Sequence, residues 1–374
     1  MQAARLRLSS KIKILEISER SQFQELEKDW DVLVAATQDQ PFYRHEFIRI
    51  WIDNFAPRAQ LRIITGRNDQ GRLIAALPLM QQQERMYGLS VQQLVSTANP
   101  HSCRCDLIAE DGEASGRAIF AHLAADKSWD LLRIQDVPEG GNAWHILQAA
   151  QEANYPVGVW ESLRSPYIPL STDYKGFCSH LSAKFQANLR RRRKHLLEKG
   201  EFKLARITGG DELMKWLQAA YTIEQSGWKG ALGSAIAQDH STLGFYNDLA
   251  QWAATKGYLS LYFLNLANQP IAFHYGLIYR NRYYLPKIGY AESFSDCSPG
   301  QLLFEDVIRD CLAHGLQEFD LLGPDMPWKQ VWTNKVRPHH WLFIFQKNSL
   351  GRLLATAKFK LVPVAKEVMG LWKR

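Results

Sequence analysis

Leu259-Ser-Leu-Tyr-Phe-Leu264, the turn Asn265 to Gln269, and Pro270-Ile-Ala-Phe-His-Tyr-Gly-Leu-Ile278 form the most apolar stretch of the chain. Asn265, Asn268, Gln269, Pro270 and His274 interrupt it, so it reads as two strands around a turn and not as a membrane span. Phe245-Tyr246 stands ahead of it and opens a helical stretch through Ala254. Beyond a further amphipathic helix comes Asp320-Leu-Leu-Gly-Pro-Asp-Met-Pro327.

The same order occurs earlier. Phe42-Tyr43 opens the helical stretch His45 to Phe55. Strand-like Leu61 to Thr65, the turn Asn68-Asp-Gln-Gly71 and strand-like Arg72 to Leu79 follow, and then Asp130 to Pro138. The offsets drift: 203 residues from Phe42 to Phe245, 197 from Ile74 to Ile271 and 190 from Asp130 to Asp320. Duplicated units with altered loops would drift in this way. Each unit reads helix, strand, hairpin, strand, helix, strand, which predicts an α/β class with mixed sheets flanked by helices. We expect a first unit over 1–170, ending in the proline-bearing connector Ser165 to Thr172. A second should cover 171–347, with a basic helical tail over 348–374.

Of the 374 residues, 46% are hydrophobic and 22% charged, as in an ordinary globular chain. The net charge of +7 suits anionic partners without selecting one. Cys103, Cys105, Cys178, Cys297 and Cys311 are odd in number and scattered, which argues for a reducing compartment. The segment His101-Ser-Cys-Arg-Cys105 has no second cysteine pair to complete a zinc site, so no metal is expected. The first residues lack the apolar run of a secretory signal, and a cytoplasmic location is expected.

Ser298-Pro-Gly-Gln301 precedes Leu302, Leu303, Val307, Ile308, Cys311 and Leu312, an apolar stripe at helical period closed by Gly315. Ser298 with Gln301 predicts a capping box, and Pro299 fits the first helical position. Gly300 lets a ligand approach the amides of the first turn, so Ser298, Gly300 and Gln301 are candidate phosphate contacts. Upstream, Tyr283-Tyr-Leu-Pro-Lys-Ile-Gly-Tyr290 alternates as a strand and sets Lys287 among apolar neighbours. Glu224-Gln-Ser-Gly-Trp228-Lys229-Gly230 and Pro324-Asp325-Met-Pro-Trp328-Lys329 each place a Trp-Lys pair beside an acid on a loop. In Arg190-Arg-Arg-Arg-Lys-His195, Arg192 and Arg193 flank the apolar stripe of their helix and could hold phosphate. The run lacks interleaved aromatics, which disfavours nucleic acid.

Asn188 to Arg193, Ser226 to Gly230, Phe245-Tyr246, Lys287 with Tyr290, Ser298 to Gly300 with Leu302-Leu303, and Phe319 to Gly323 with Trp328-Lys329 together resemble the BioF2-like acyltransferase family. These are the CelD/BcsL proteins associated with cellulose biosynthesis, within the GNAT superfamily and related to the FemAB aminoacyl ligases. The resemblance spans most of residues 12–347 and implies two tandem GNAT-like units with the chemistry in the second. It implies an acyltransferase moving an acyl group from a thioester, acyl-CoA or acyl carrier protein, to an amine or hydroxyl of a small molecule, sugar or lipid. No permanently bound cofactor is expected. The donor pyrophosphate would rest at Ser298 to Gln301, where the family's glycine-rich loop is reduced to one glycine. FemAB ligases that use aminoacyl-tRNA carry a long helical insertion, for which residues 207–245 are too short. Glu224 is the expected base, Lys287 an electrostatic stabiliser or substrate anchor and Tyr290 the acid, with Tyr246, Trp228, Lys229, Asp325, Trp328 and Lys329 around the substrate. The alternatives are a FemAB-like aminoacyltransferase on a cell-wall or peptide precursor and a silent scaffold in an envelope-building complex. In the tail, Leu353, Leu354, Ala357, Leu361, Val364 and Val368 recur near helical period with lysines between them. They would cover the chain's own core or rest on acidic membrane.

Overall fold

The computed structural model describes residues 12–227, 230, 233 and 235–362. They form two compact units, one from residues 12–49, 58–162 and 339–362, the other from residues 50–57 and 163–338.

In the first unit, β1 (Lys13–Ile17), α1 (Arg20–Glu25), α2 (Glu27–Ala36) and the start of α3 (His45–Phe55) lead into the strands. These are β2 (Gln60–Leu61), β3 (Ile63–Arg67), β4 (Leu73–Leu77), β5 (Leu79–Met86), β6 (Leu89–Ser96) and β7 (Ile108–Ala109). Helix α4 (Gly112–Ala125), β8 (Leu131–Pro138), α5 (Trp144–Glu152) and the start of β9 (Val157–Pro169) follow. β1-β3-β4-β7 make one sheet; β8-β6-β5-β2 run in order in another, with β6 and β8 parallel. Each of the two strands expected at 61–65 and 72–79 is broken in two. Pro78 has no N–H for a ladder and separates β4 from β5, while Arg62 separates β2 from β3 and donates its N–H to Leu79 O at 2.9 Å. The hairpin thus bends from one sheet into the other, over a core that includes Leu77, Leu94, Ile119, Leu132 and Ile146.

The second unit contains α6 (Tyr174–Ser179), α7 (Ala183–Lys199), β10 (Phe202–Ile207), α8 (Leu213–Ser226) and α9 (His240–Thr255). Then come β11 (Leu259–Leu266), β12 (Gln269–Tyr279), β13 (Arg282–Tyr290), α10 (Pro299–Ala313), β14 (Glu318–Asp320) and α11 (Pro327–Gln330). Strand order is β10-β11-β12-β13-β14-β9, antiparallel except for β13 with β14. The expected hairpin is present, with Phe263 opposite Phe273. Ala267 and Asn268 both take left-handed backbone at its two-residue turn, the handedness that suits twisted strands. Tyr262, Leu264 and Ala272 pack with Leu302, Leu303, Val307 and Ile308 of α10 on one face. The other face meets α8 and α9, where Trp216 lies 4.8 Å from Phe263 and Tyr246 5.1 Å from Tyr275.

The segment read as a connector, Ser165 to Thr172, lies largely inside β9. Its prolines lose donors but keep acceptors: Pro166 O accepts from Leu321 N–H at 3.0 Å, and Ile168 stands opposite Phe319. After β15 (Val336–Phe345), α12 (Ser349–Thr356) buries Leu354 with Val91, Leu131, Phe343 and Phe345. That part of the expected tail covers the first unit's own core, while Leu353 and Leu361 are exposed. Val364 and Val368 lie outside the described residues. No described helix is long and apolar enough to cross a membrane.

Candidate active site

β13 and β14 pair over three positions only, Arg282 with Glu318, Tyr283 with Phe319 and Tyr284 with Asp320. β13 continues to Tyr290, whereas the chain leaves β14 through Leu322 (φ 49°) and Gly323 (φ 56°). Buried groups hold that departure. Asp320 accepts from Leu322 N–H at 3.0 Å and from Arg337 Nη1 at 3.2 Å, and Lys329 Nζ donates to Leu322 O and, at 2.9 Å, to Pro324 O. Residues 285–290 therefore form an edge of β13 that β14 does not cover.

The edge ends at the start of α10. Pro299 occupies the first helical position as expected, but the expected capping box is absent. Ser298 is left-handed (φ 48°, ψ 56°), which turns its hydroxyl away from the helix to donate to Ser295 O at 3.4 Å. The Gln301 side chain instead accepts from Trp332 Nε1 at 2.8 Å. Gln301 N–H bonds Ser298 O at 3.0 Å, which leaves the Gly300 N–H without an acceptor among the described residues. A Cβ on Gly300 would lie 3.5 Å from Tyr290 Cδ1, so the bare backbone of the helix opening rests against the tyrosine that ends β13. No acidic residue stands in the first turn, and the helix dipole favours an anion there. Burial, then the neighbouring Glu292, pushes the Tyr290 phenol above its ordinary pKa. It stays protonated over the physiological range.

The other expected site residues are dispersed. Lys287 points to the opposite face of the sheet from Tyr290, with Nζ 5.5 Å above the buried ring of Tyr246. Glu224 is buried on α8 and accepts from Ile236 N–H at 2.8 Å. Arg193 differs from expectation. Its guanidinium is held by Glu305 at 2.7 Å and Asp306 at 2.6 Å on α10, and these carboxylates, not a phosphate, balance its charge. Arg192, one residue along α7, is half-buried. Lys329, expected at the substrate, is buried and spent on loop carbonyls. Trp328 packs on Phe304 at 5.9 Å, and Asp325 is half-buried in the same loop. Trp228 and Lys229 lie outside the described residues.

The sequence reading missed His274. It lies on the α10 face of β12, fully buried, 5.7 Å from Phe304. Burial depresses its pKa to about 3. The only sequence signal was a lone polar residue inside an apolar run.

Residues 183–330 match the family described as acetyltransferase (GNAT) domain, a span that includes β13, the α10 opening and β14. Over that span the chain is similar to a GNAT-type acetyltransferase domain. Solved structures of the same fold include FemX, at 11% identity and TM-score 0.58, covering 92% of this chain and all of that one (100%). The C-terminal domain of a candidate lysylphosphatidylglycerol synthetase from Agrobacterium fabrum is 13% identical, with TM-score 0.54 over 91% of this chain and 97% of that one. L-PGS from Bacillus licheniformis is 11% identical, with TM-score 0.50 over 91% and 96%. No curated protein matches the sequence. The fold class is the expected one, mixed α/β with GNAT-type units, and the acyltransferase assignment holds at that coarse level.

Proposed function

We propose that the second unit transfers an acyl group from a thioester, acyl-CoA or acyl carrier protein, to an amine or hydroxyl acceptor in polysaccharide, lipid or cell-envelope biosynthesis. One observation carries the reading: β13 runs on past its last pair with β14, and its final residue, Tyr290, lies against the bare Gly300 backbone at the start of α10. The donor's phosphates would rest at the helix opening, with its acyl-bearing arm passing Tyr290. The acceptor's nitrogen or oxygen attacks the thioester carbon, the C–S bond breaks, and the thiolate takes a proton from the Tyr290 hydroxyl. Glu224, oriented by the Ile236 N–H, is the proposed base for the acceptor's proton, and Lys287 beside Tyr246 the proposed acceptor anchor.

The test is to incubate the full chain with labelled acyl-CoA of several chain lengths, and with acyl carrier protein, against a panel of amines, sugars and lipids. Acceptor-dependent release of free thiol is expected. If no donor is consumed, the reading fails. A second reading, aminoacyl transfer, draws on the likeness to FemX and to the lysylphosphatidylglycerol synthetase domain, and suggests a lipid or peptide acceptor. Charged tRNA as a parallel donor separates the two.

A further inference from the structure

The turn that enters α10 carries a second set of chemical groups, unused by the transfer reading. His195 projects from α7 toward Asp296, with Nε2 3.0 Å from Oδ2. Cys297 follows Asp296, and one ligand atom from each of these three residues lies within 4.8 Å of the others. The thiol is buried, while about half of the His195 side chain (45%) and of Asp296 (50%) faces solvent, so an ion has a route in. His195 Nδ1 is 3.3 Å from the Glu198 carboxylate.

We propose that His195, Asp296 and Cys297 form a binding site for a divalent transition metal of the zinc type. Thiolate, imidazole and carboxylate are the donors zinc selects, whereas magnesium and calcium take oxygen alone. A tetrahedral ion would set these donors about 3.3–3.6 Å apart, so the cluster needs to contract by about 1 Å. Glu198 supplies the outer carboxylate that orients a ligating histidine. With Nδ1–H donating to it, the Nε2 lone pair is left for the metal. Lys199 also donates to Asp296 Oδ2, at 2.7 Å, and the Cys297 thiol is hydrogen-bonded to the same carboxylate. An ion shared by the Asp296 carboxylate and the Cys297 sulfur replaces the thiol proton between them, and the Lys199 ammonium opposes it as a like charge until the lysine swings into water. Binding forms metal–sulfur, metal–nitrogen and metal–oxygen bonds, and the Cys297 thiol proton and any proton on Nε2 pass to solvent. Three protein ligands leave the fourth position open.

The site stands or falls independently of the transfer reading, because it is measured without turnover. The full chain, reduced and stripped with a chelator, is titrated with Co²⁺ while thiolate-to-metal absorption is followed, and Zn²⁺ is then used to displace it. One Co²⁺ per chain with a thiolate band is expected. Cys297→Ser should abolish the band although Cys103, Cys105, Cys178 and Cys311 remain. The surface variant His195→Gln, which does not disturb the core, should weaken binding at least about tenfold, and Glu198→Gln about 10- to 100-fold. Lys199→Ala should tighten binding, a gain that a purely structural role for the cluster would not produce. Absence of a thiolate band in the wild type, or a band unchanged in both Cys297→Ser and His195→Gln, overturns the proposal.

Discussion

At residue 290 a single hydroxyl separates packing from chemistry. The Tyr290 ring lies against Gly300, and Phe would keep that contact while removing the proton. Tyr290→Phe should therefore lower kcat about a hundredfold, the lower end of what a positioned acid contributes, and leave the donor KM unchanged. An unchanged kcat in steady-state assays would remove the tyrosine from the mechanism. His274 makes a prediction about stability. Its folded pKa is depressed to about 3 by burial, against 6.5 for the free imidazole. The unfolded chain thus binds the extra proton first. Stability from this group is complete above pH 6.5 and is lost as pH falls toward 3. At pH 5.5 the loss is about 1.4 kcal/mol. Urea unfolding at pH 7.5 and 5.5 should show His274→Leu losing that much less than wild type. Equal losses in the two proteins would show that the imidazole already carries its proton in the fold.

At the scale of elements, α10 does two things at its first turn, and they can be pulled apart. Gly300 is a poor helix residue, and a Cβ there meets Tyr290 at an ordinary 3.5 Å contact. Gly300→Ala should leave stability unchanged or raise it by up to about 1 kcal/mol. The same methyl group would stand over the open amide, so donor affinity should drop; thermal unfolding and calorimetric titration with acyl-CoA measure the two effects. Tighter donor binding in this variant would mean that no ligand approaches the backbone at 300. The helix itself was legible in the sequence because its apolar residues recur at helical period and Pro299 fits only its start. The hairpin was legible because Asn268 and its neighbours interrupt two apolar runs. What was not legible is long-range. Ser298 is left-handed because of the turn before it, Gln301 is claimed by Trp332, and Arg193 is claimed by Glu305 and Asp306 more than a hundred residues away. The divergence of β14 was hidden too, since Asp320-Leu-Leu reads as a strand until the buried Asp320 carboxylate turns the chain at Leu322. Local periodicity contains none of these pairings.

At the scale of the molecule, duplication raises the question of how many donors one chain can hold. The first unit repeats the arrangement of a helix linking two parallel strands, with α4 between β6 and β8. Its helix opening is built differently. Asp111 caps α4 by accepting from Ala114 N–H at 3.0 Å, and Glu113 adds a second negative charge in the first turn. A Cβ on Gly112 would fall 2.3 Å from Asn142 Oδ1, so a neighbouring side chain already fills the space that Gly300 leaves bare in the second unit. Carboxylates in that turn use the dipole that a phosphate would need and repel its charge. On the proposed reading, then, only the second unit would receive a thioester donor. Calorimetric titration should give one acyl-CoA per chain, lost or weakened in Gly300→Ala and unaltered in Asp111→Asn. Two donors per chain, or binding that responds to Asp111 and ignores Gly300, would move the chemistry to the first unit.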